Sequence, residues 1–294
     1  MSKTQIWRHA ARPHTLPAAI TPVLVGSGLA VHDGVFRWDA FLWSALGATA
    51  IQVAANFAND ASDAKRGADS EDRLGPPRMV AIGAIGARQM WVATAVAVLF
   101  AGVAALALTA IAGPWILVIG VSSVLAMLGY VGGPAPYGYH GLGEVFVFIF
   151  FGLVATVGSR FVHDQTAPLS AWLLAIPVGM LASGILVANN YRDIETDARA
   201  GKRTLAVVLG KQKTRFLFAL LVLTPYPLIA IFGMAGLTPL ATLFGALLAP
   251  YAVAPFTIVN KKSDGPNLIR ALKLTARLQL LTGIAVALGA VVGN

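Results

Sequence analysis

Charged residues are missing from long stretches of this chain. Thr15–Val31 and Ala40–Asn59 contain no Asp, Glu, Lys or Arg. Gln89–Tyr139 is a run of 51 residues without one; as a single helix it would reach roughly 75 Å, more than twice a ~30 Å hydrocarbon core. The run therefore has to turn back, and Gly113-Pro114 is where the backbone breaks most readily. Val145–Ser159 and Gln165–Tyr191 follow. Phe216–Asn260 is a 45-residue run, long enough for two crossings, with its turn around Gly233–Pro239. Leu278–Gly293 closes the chain, with Lys273 and Arg277 placed to snorkel from its start. The pattern predicts an all-α integral membrane protein of nine transmembrane helices. A short N-terminal segment over 1–13 leads into a single membrane domain over 14–294.

Composition agrees. Apolar residues make up 57% of the chain and charged residues 12%, about half the charge of a soluble domain. That excludes a disordered chain and argues against a soluble enzyme. Lys and Arg number 22 against 13 Asp and Glu, a net charge of +9. In a hydrophilic chain this excess would suggest a nucleic-acid partner. Here topology accounts for it: with the N-terminus in the cytoplasm, 20 of the 22 basic residues fall in cytoplasmic segments, leaving Arg37 and Arg160 outside. This is the positive-inside bias, and it puts the C-terminus outside without calling on nucleic acid. Arg8 and Arg12 ahead of an apolar run resemble a signal peptide, but Pro17 and Pro22 interrupt that run. The absence of Cys excludes disulfides, thiolate metal sites and cysteine nucleophiles.

Eight of the 13 acidic residues fall in two short segments. In the first, Asn56, Asp60 and Asp63 stand at i, i+4 and i+7, one face of a helix. In the second, Asn189, Asp193 and Asp197 stand at i, i+4 and i+8 of a continuing helix, again one face. Gly67 and Gly201 each follow the last Asp by four, so the segments form an internal near-repeat. Each lies at the cytoplasmic end of an even-numbered helix. Ordinary solvated loops do not explain Asn56, Asn59, Asn189 and Asn190 inside the last turns of apolar helices, where a polar group needs a partner. Carboxylates on one face repel unless a cation lies between them. Hard oxygen ligands without His or Cys select Mg²⁺ or Ca²⁺. With Arg and Lys interleaved, the pair suits a diphosphate bridged by Mg²⁺, and a greasy bundle beside it suggests an isoprenyl diphosphate. Arg73, Arg78, Lys202 and Arg203 could hold its oxygens, while the bundle keeps water from an allylic cation.

Asn56…Asn59-Asp60…Asp63 and Asp193…Asp197 resemble the two Asp-rich motifs of the UbiA superfamily of intramembrane prenyltransferases. Gly67-Ala-Asp69, Arg73-Leu-Gly-Pro-Pro-Arg78, Arg12-Pro-His-Thr15-Leu16-Pro17, Tyr139-His-Gly-Leu-Gly143-Glu144 and Gly201-Lys202-Arg203-Thr204-Leu205-Ala206 are similar to its 1,4-dihydroxy-2-naphthoate polyprenyltransferase branch. The resemblance implies transfer of a polyprenyl chain from polyprenyl diphosphate to 1,4-dihydroxy-2-naphthoate, with loss of CO₂ and diphosphate, for menaquinone synthesis. It implies an active site on the cytoplasmic side of the cell membrane. Asp60, Asp63, Asp193 and Asp197, with Asn56 and Asn189, would form the Mg²⁺–diphosphate set. Many family members carry a third Asp where this chain has Gly67, which leaves the role of Asp69 open.

Other candidates carry bland readings beside functional ones. Arg12 could contact the diphosphate or serve only topology. Glu144, with Asn59 and Asn190, could bind the acceptor, but helix capping or a salt bridge is the commoner use of such a Glu. Tyr130 and Tyr139 could contact the acceptor, but interfacial tyrosines usually belong to the aromatic belt. Phe146, Phe148, Phe150 and Phe151 could line a tunnel, but such residues more often face lipid. His163 is expected to be solvated on the outer side. Two alternatives remain: another aromatic acceptor such as 4-hydroxybenzoate or homogentisate, and a cation-coupled transporter, whose paired carboxylates would sit nearer the bilayer midplane. Prenyl length and oligomeric state have no signature in the residues.

Overall fold

The computed structural model describes residues 1–66, 75, 77–133 and 135–293, and they are all-helical. In chain order the helices are α1 (Lys3–Ala11), α2 (Pro17–His32), α3 (Trp38–Lys65), α4 (Ala87–Ala112), α5 (Trp115–Val131), α6 (Gly143–Asp164), α7 (Leu169–Arg192), α8 (Ile194–Arg199), α9 (Leu205–Met234), α10 (Leu240–Leu248, a 3₁₀ helix), α11 (Ala249–Lys261, which continues it) and α12 (Gly265–Val292). Among these, α3, α4, α6, α7, α9, the joined α10–α11 and α12 are long and apolar enough to cross a membrane. The α1–α2 pair passes only as a unit bent by 49°, and α5 is a shorter apolar helix.

Local sequence explains the boundaries. Ser2 and Gln5 form a capping box at the start of α1. Helix α4 stops at Gly113, and Pro114 precedes α5, as the Gly-Pro pair predicts. Two helices begin earlier than the charge-free runs indicate. Helix α12 starts at Gly265 rather than near Leu278, because Asp264 accepts from Asn267 N as N-cap and Pro266 fits the first turn. Its Arg270, Lys273 and Arg277 stand on one exposed face while Leu268, Ala271, Leu272 and Ala276 are buried on the other. Helix α9 likewise starts at Leu205 and carries exposed Lys211 and Lys213.

Helix α7 is the axis of the bundle, with 78% of its apolar window buried against 17% for α4. It packs on α6, α9 and α12. The α6 contact is close because Gly152 meets Gly179: a Cβ on Gly152 would lie 2.5 Å from Gly179 Cα. That approach falls within a π-helical turn over Phe148–Val154.

A cavity of about 760 Å³ opens among α3, α4, α5 and α6. Arg12, Asn56, Asp63 and Lys202 line one end, and Ser44, Ile116, Ser159 and Val162 the other. Between them the wall is apolar. On the α4–α5 side the wall includes Leu99, Leu106, Val121 and Leu125, which are also exposed on the outer surface of the bundle.

Candidate active site

The polar end of the cavity is built by the ends of α3 and α7 with the segments that follow them. On α3, Asn56, Asp60 and Asp63 are all buried, as their shared face predicts. Their side chains nevertheless do different work. Asn56 donates from Nδ2 to Ala11 O at 2.9 Å and to Thr15 Oγ1 at 3.0 Å, and accepts from Gln52, tying α3 to the bend between α1 and α2. Both oxygens of Asp60 accept backbone N–H groups, from Met79 and Val80 at 3.0 Å each. Asp60 thereby anchors the segment that carries Arg78. Asp63 faces the cavity. Its Oδ1 accepts from Tyr139 Oη at 2.9 Å, and its Oδ2 accepts from Arg78 Nη2 at 3.2 Å.

The second motif repeats the division. The continuous helix expected there breaks at Asp193, which caps α7 with φ −97° and ψ 9°. The register survives, since Asp193 N donates to Asn189 O and Asp197 N to Asp193 O. Arg192 grips Asp193 through two bonds of 2.8 and 2.6 Å and also donates to Asn189 Oδ1. Asp197 is turned toward Lys202, whose Nζ lies 3.9 Å from it and 3.7 Å from Asp63. One ammonium therefore bridges the inner carboxylates of the two motifs.

Of the predicted residues, Arg12, Asn56, Asn59, Asp63, Arg78, Tyr130, Asn189 and Lys202 line the cavity together. Asp60, Asp193, Asp197 and Tyr139 are outside this lining, with Tyr139 bonded to Asp63 and Asp197 beside Lys202. Arg203 does not join them: it is exposed and outside the cavity wall. Arg73 and Asp69 lie outside the described residues.

Several bland readings give way. Tyr139 is bonded to Asp63 instead of serving only as a belt residue, and its phenol is pushed above the usual tyrosine range, first by burial and then by the neighbouring carboxylate. Phe146, Phe150 and Phe151 line the cavity, although lipid exposure is the commoner case. Tyr137, unmarked in the sequence, stacks on Phe146 at 3.9 Å between ring centroids and is fixed by donation to Ala126 O. Glu144 makes no ion pair among the described residues. It accepts from Asn190 Nδ2 at 2.8 Å, and its Oε2 is buried without a hydrogen-bond partner. At the opposite end, His163 is buried instead of solvated, held by Arg37 N and Ser27 and stacked on Phe36. Arg160 beside it pairs with Asp33 and Asp164.

The donor set fits a hard divalent cation. Among the described residues no three His, Cys, Asp or Glu form a ready-made ligand cluster. Mg²⁺ does not need one, because one or two carboxylates suffice when water and phosphate oxygens complete the shell. Asp63 and Asp197 supply two, and the buried Oδ1 of Asn59, which has no hydrogen-bond partner, adds an oxygen at the cavity wall.

A polar end rich in carboxylates and cations, joined to a long apolar cavity, is the geometry of an enzyme that handles a charged head and a greasy tail. The family model for UbiA prenyltransferases matches residues 19–281. The chain belongs to the UbiA prenyltransferase family. It is 38% identical to a 1,4-dihydroxy-2-naphthoate octaprenyltransferase of Mycobacterium leprae, over 96% of this chain and 94% of that one. It is 34% identical to the protein of the same name from Escherichia coli, over 98% and 96%. A solved UbiA homolog from Archaeoglobus fulgidus, bound to DMAPP and Mg²⁺, shares the fold with a TM-score of 0.68 at 15% identity, over 96% of this chain and 98% of that one. UbiA membership makes this chain a prenyltransferase of the membrane and sets the transporter reading aside.

Proposed function

We propose that this UbiA enzyme transfers a polyprenyl group from polyprenyl diphosphate to 1,4-dihydroxy-2-naphthoate, releasing diphosphate and CO₂, in menaquinone biosynthesis. The observation that carries the reading is the continuity of the carboxylate–cation end with the 760 Å³ apolar cavity, supported by full-length relatives bearing that activity in their names.

In this reading the diphosphate lies at the polar end, where Arg12, Arg78 and Lys202 line the cavity for its oxygens, while Arg203 is exposed outside the cavity wall. Asn56, Asp60, Asp63, Asn189, Asp193 and Asp197 are the oxygen-bearing set for Mg²⁺. Asp63 and Asp197 present their carboxylates, while Asp60 and Asp193 fix the segments around them. The chemistry supplied by bound Mg²⁺ is neutralisation of the charge that builds on the leaving diphosphate. The prenyl tail runs along the apolar wall, which excludes water as the allylic C–O bond breaks. Tyr130, Tyr137, Phe146 and Phe150 form a connected aromatic wall beside that end, and their faces stabilise positive charge on the allyl group. Tyr130 and Tyr139, with Asn59, Asn190 and Glu144 nearby, are the acceptor-binding candidates. Nine crossings, a cytoplasmic N-terminus and a cytoplasmic active site belong to the same proposal, supported by the 20 basic residues that this topology gathers on one side.

The test is an assay in nanodiscs with polyprenyl diphosphate, 1,4-dihydroxy-2-naphthoate and Mg²⁺, product being followed by mass. A prenylated, decarboxylated naphthoquinol that disappears with EDTA and with Asp63→Asn is expected. Product with 4-hydroxybenzoate but none with naphthoate would overturn the acceptor while leaving the prenyl donor in place.

A further inference from the structure

Lys202 occupies an unusual position for a lysine, and local chain geometry puts it there. Helix α8 ends at Arg199, and the chain reverses through Gly201 at φ 70°. Gly201 N donates to Ala198 O and Lys202 N to Asp197 O at 2.8 Å, the paired closure of a Schellman turn. The turn folds Lys202 back over its own helix, where it is buried and lines the cavity. Its Nζ is almost equidistant from Asp63 Oδ2 and Asp197 Oδ1, at 3.7 and 3.9 Å, and lies 5.2 Å from the centre of the Tyr139 ring. Both carboxylate distances exceed hydrogen-bond length. The ammonium is therefore held between the two motifs by charge, without being bonded to either oxygen.

This is also the position from which a divalent cation would bridge the motifs. A tethered ammonium and a metal ion cannot share it, because like charges repel at that range. An anion that enters the adjoining end of the cavity, which Lys202 already lines, would give the ammonium another partner. Of these two carboxylates, Arg78 is bonded to Asp63 alone, at 3.2 Å; we infer that Lys202 is the counter-ion shared between the two carboxylate motifs, and that it blocks the metal until a diphosphate draws it away. This rests on the reading that Asp63 and Asp197 take the metal. The consequence is coupling: metal and diphosphate each assist the other's binding, by the same factor, and the empty enzyme holds metal weakly.

The experiment is a Mn²⁺ titration followed by electron paramagnetic resonance on the full-length protein in detergent, without diphosphate. The wild type is compared with Lys202→Met, Lys202→Arg and Asp63→Asn. Removing the ammonium is expected to tighten Mn²⁺ binding at least tenfold. Lys202→Arg keeps the charge and is expected to stay near the wild type. Asp63→Asn is expected to lose the site. If Lys202→Met fails a size-exclusion check for folding, Lys202→Gln takes its place. Wild-type affinity in the neutral variant, with binding still lost in Asp63→Asn, would overturn the inference and leave the metal site standing. Equal tightening in Lys202→Arg would also overturn it, since charge would not be the cause. Mn²⁺ binding that ignores Asp63 would overturn the metal-site reading itself.

Discussion

Replacing Gly201 by alanine isolates the backbone turn that aims Lys202. At φ 70°, an L residue other than glycine is strained, and a Cβ at this position meets no atom within 4 Å. Any penalty therefore comes from the backbone and not from a clash, and should be about 1–2 kcal/mol. Against a total stability of about 5–15 kcal/mol this does not unfold a domain. It is enough to change the population of one turn by roughly 5–30-fold. If the turn relaxes to escape the strain, Lys202 leaves Asp63 and Asp197, and the loss should appear as a raised KM for prenyl diphosphate of about that size. Gly210 supplies the control, with φ 72° and equally open surroundings, but on α9 where it lies outside the cavity wall. Gly210→Ala should lower thermal stability by a similar amount and leave that KM alone. Asn tolerates the left-handed region, so Gly201→Asn should recover most of the activity. The measurements are steady-state kinetics with the prenyl donor varied, alongside thermal unfolding in detergent. If Gly201→Asn is as impaired as Gly201→Ala, or Gly210→Ala raises KM equally, the turn is not what positions Lys202.

Further predictions concern the cavity and its two ends. Tyr139→Phe removes the hydroxyl donor to Asp63 at the half-buried edge of the site, and should cost about 1–2 kcal/mol in kcat/KM. Because the phenol is held above its usual range, it stays protonated and donating as pH rises. The ratio of wild-type to variant rates should therefore be flat from about pH 7 to pH 9, and a ratio that falls toward the alkaline end would contradict this. Gly158 lines the far part of the cavity with no atom within 4 Å of an added Cβ. Gly158→Phe should depress kcat/KM for long prenyl donors while sparing geranyl diphosphate, and equal loss for both would exclude this part of the cavity as the tail's path. Arg160→Met leaves Asp33 and Asp164 without their shared guanidinium. Because these carboxylates remain 30% and 25% exposed, the expected cost is about 2–4 kcal/mol, toward the lower end for a broken buried pair. It should lower the unfolding temperature without altering KM for the prenyl donor.

Membrane-spanning elements were legible because uncharged runs admit few other readings. The errors at their ends share one cause. Counting charges marks where a helix could enter lipid, not where it begins. Arg270, Lys273 and Arg277 can extend α12 toward water because they all fall on its exposed face. An amphipathic reading of that segment would have recovered its start. The aromatic wall was ambiguous for a related reason: the sequence puts Phe146 and Phe150 on one face of α6, but whether that face meets lipid or a cavity depends on where α5 packs.

The carboxylates show a deeper limit of spacing. Asn56, Asp60 and Asp63 were predicted to share a face, and all three are buried, yet burial on one face does not give equal roles. Asp60 is saturated by the N–H groups of Met79 and Val80, donors from an irregular segment that bears no mark of this in its sequence. Asp193 is gripped by Arg192, the residue immediately before it. Each motif thus uses one carboxylate to fix its surroundings and presents the other toward Lys202. A buried carboxylate is affordable only when its charge is answered, and the anchoring pair is answered permanently by backbone amides or a neighbouring guanidinium. The presented pair shares a flexible ammonium at long range, which another cation can replace, while Tyr139 and Arg78 hold Asp63 in place beside it. That difference in how the charges are satisfied, more than the number of acidic residues, separates the scaffold of the site from its exchangeable part.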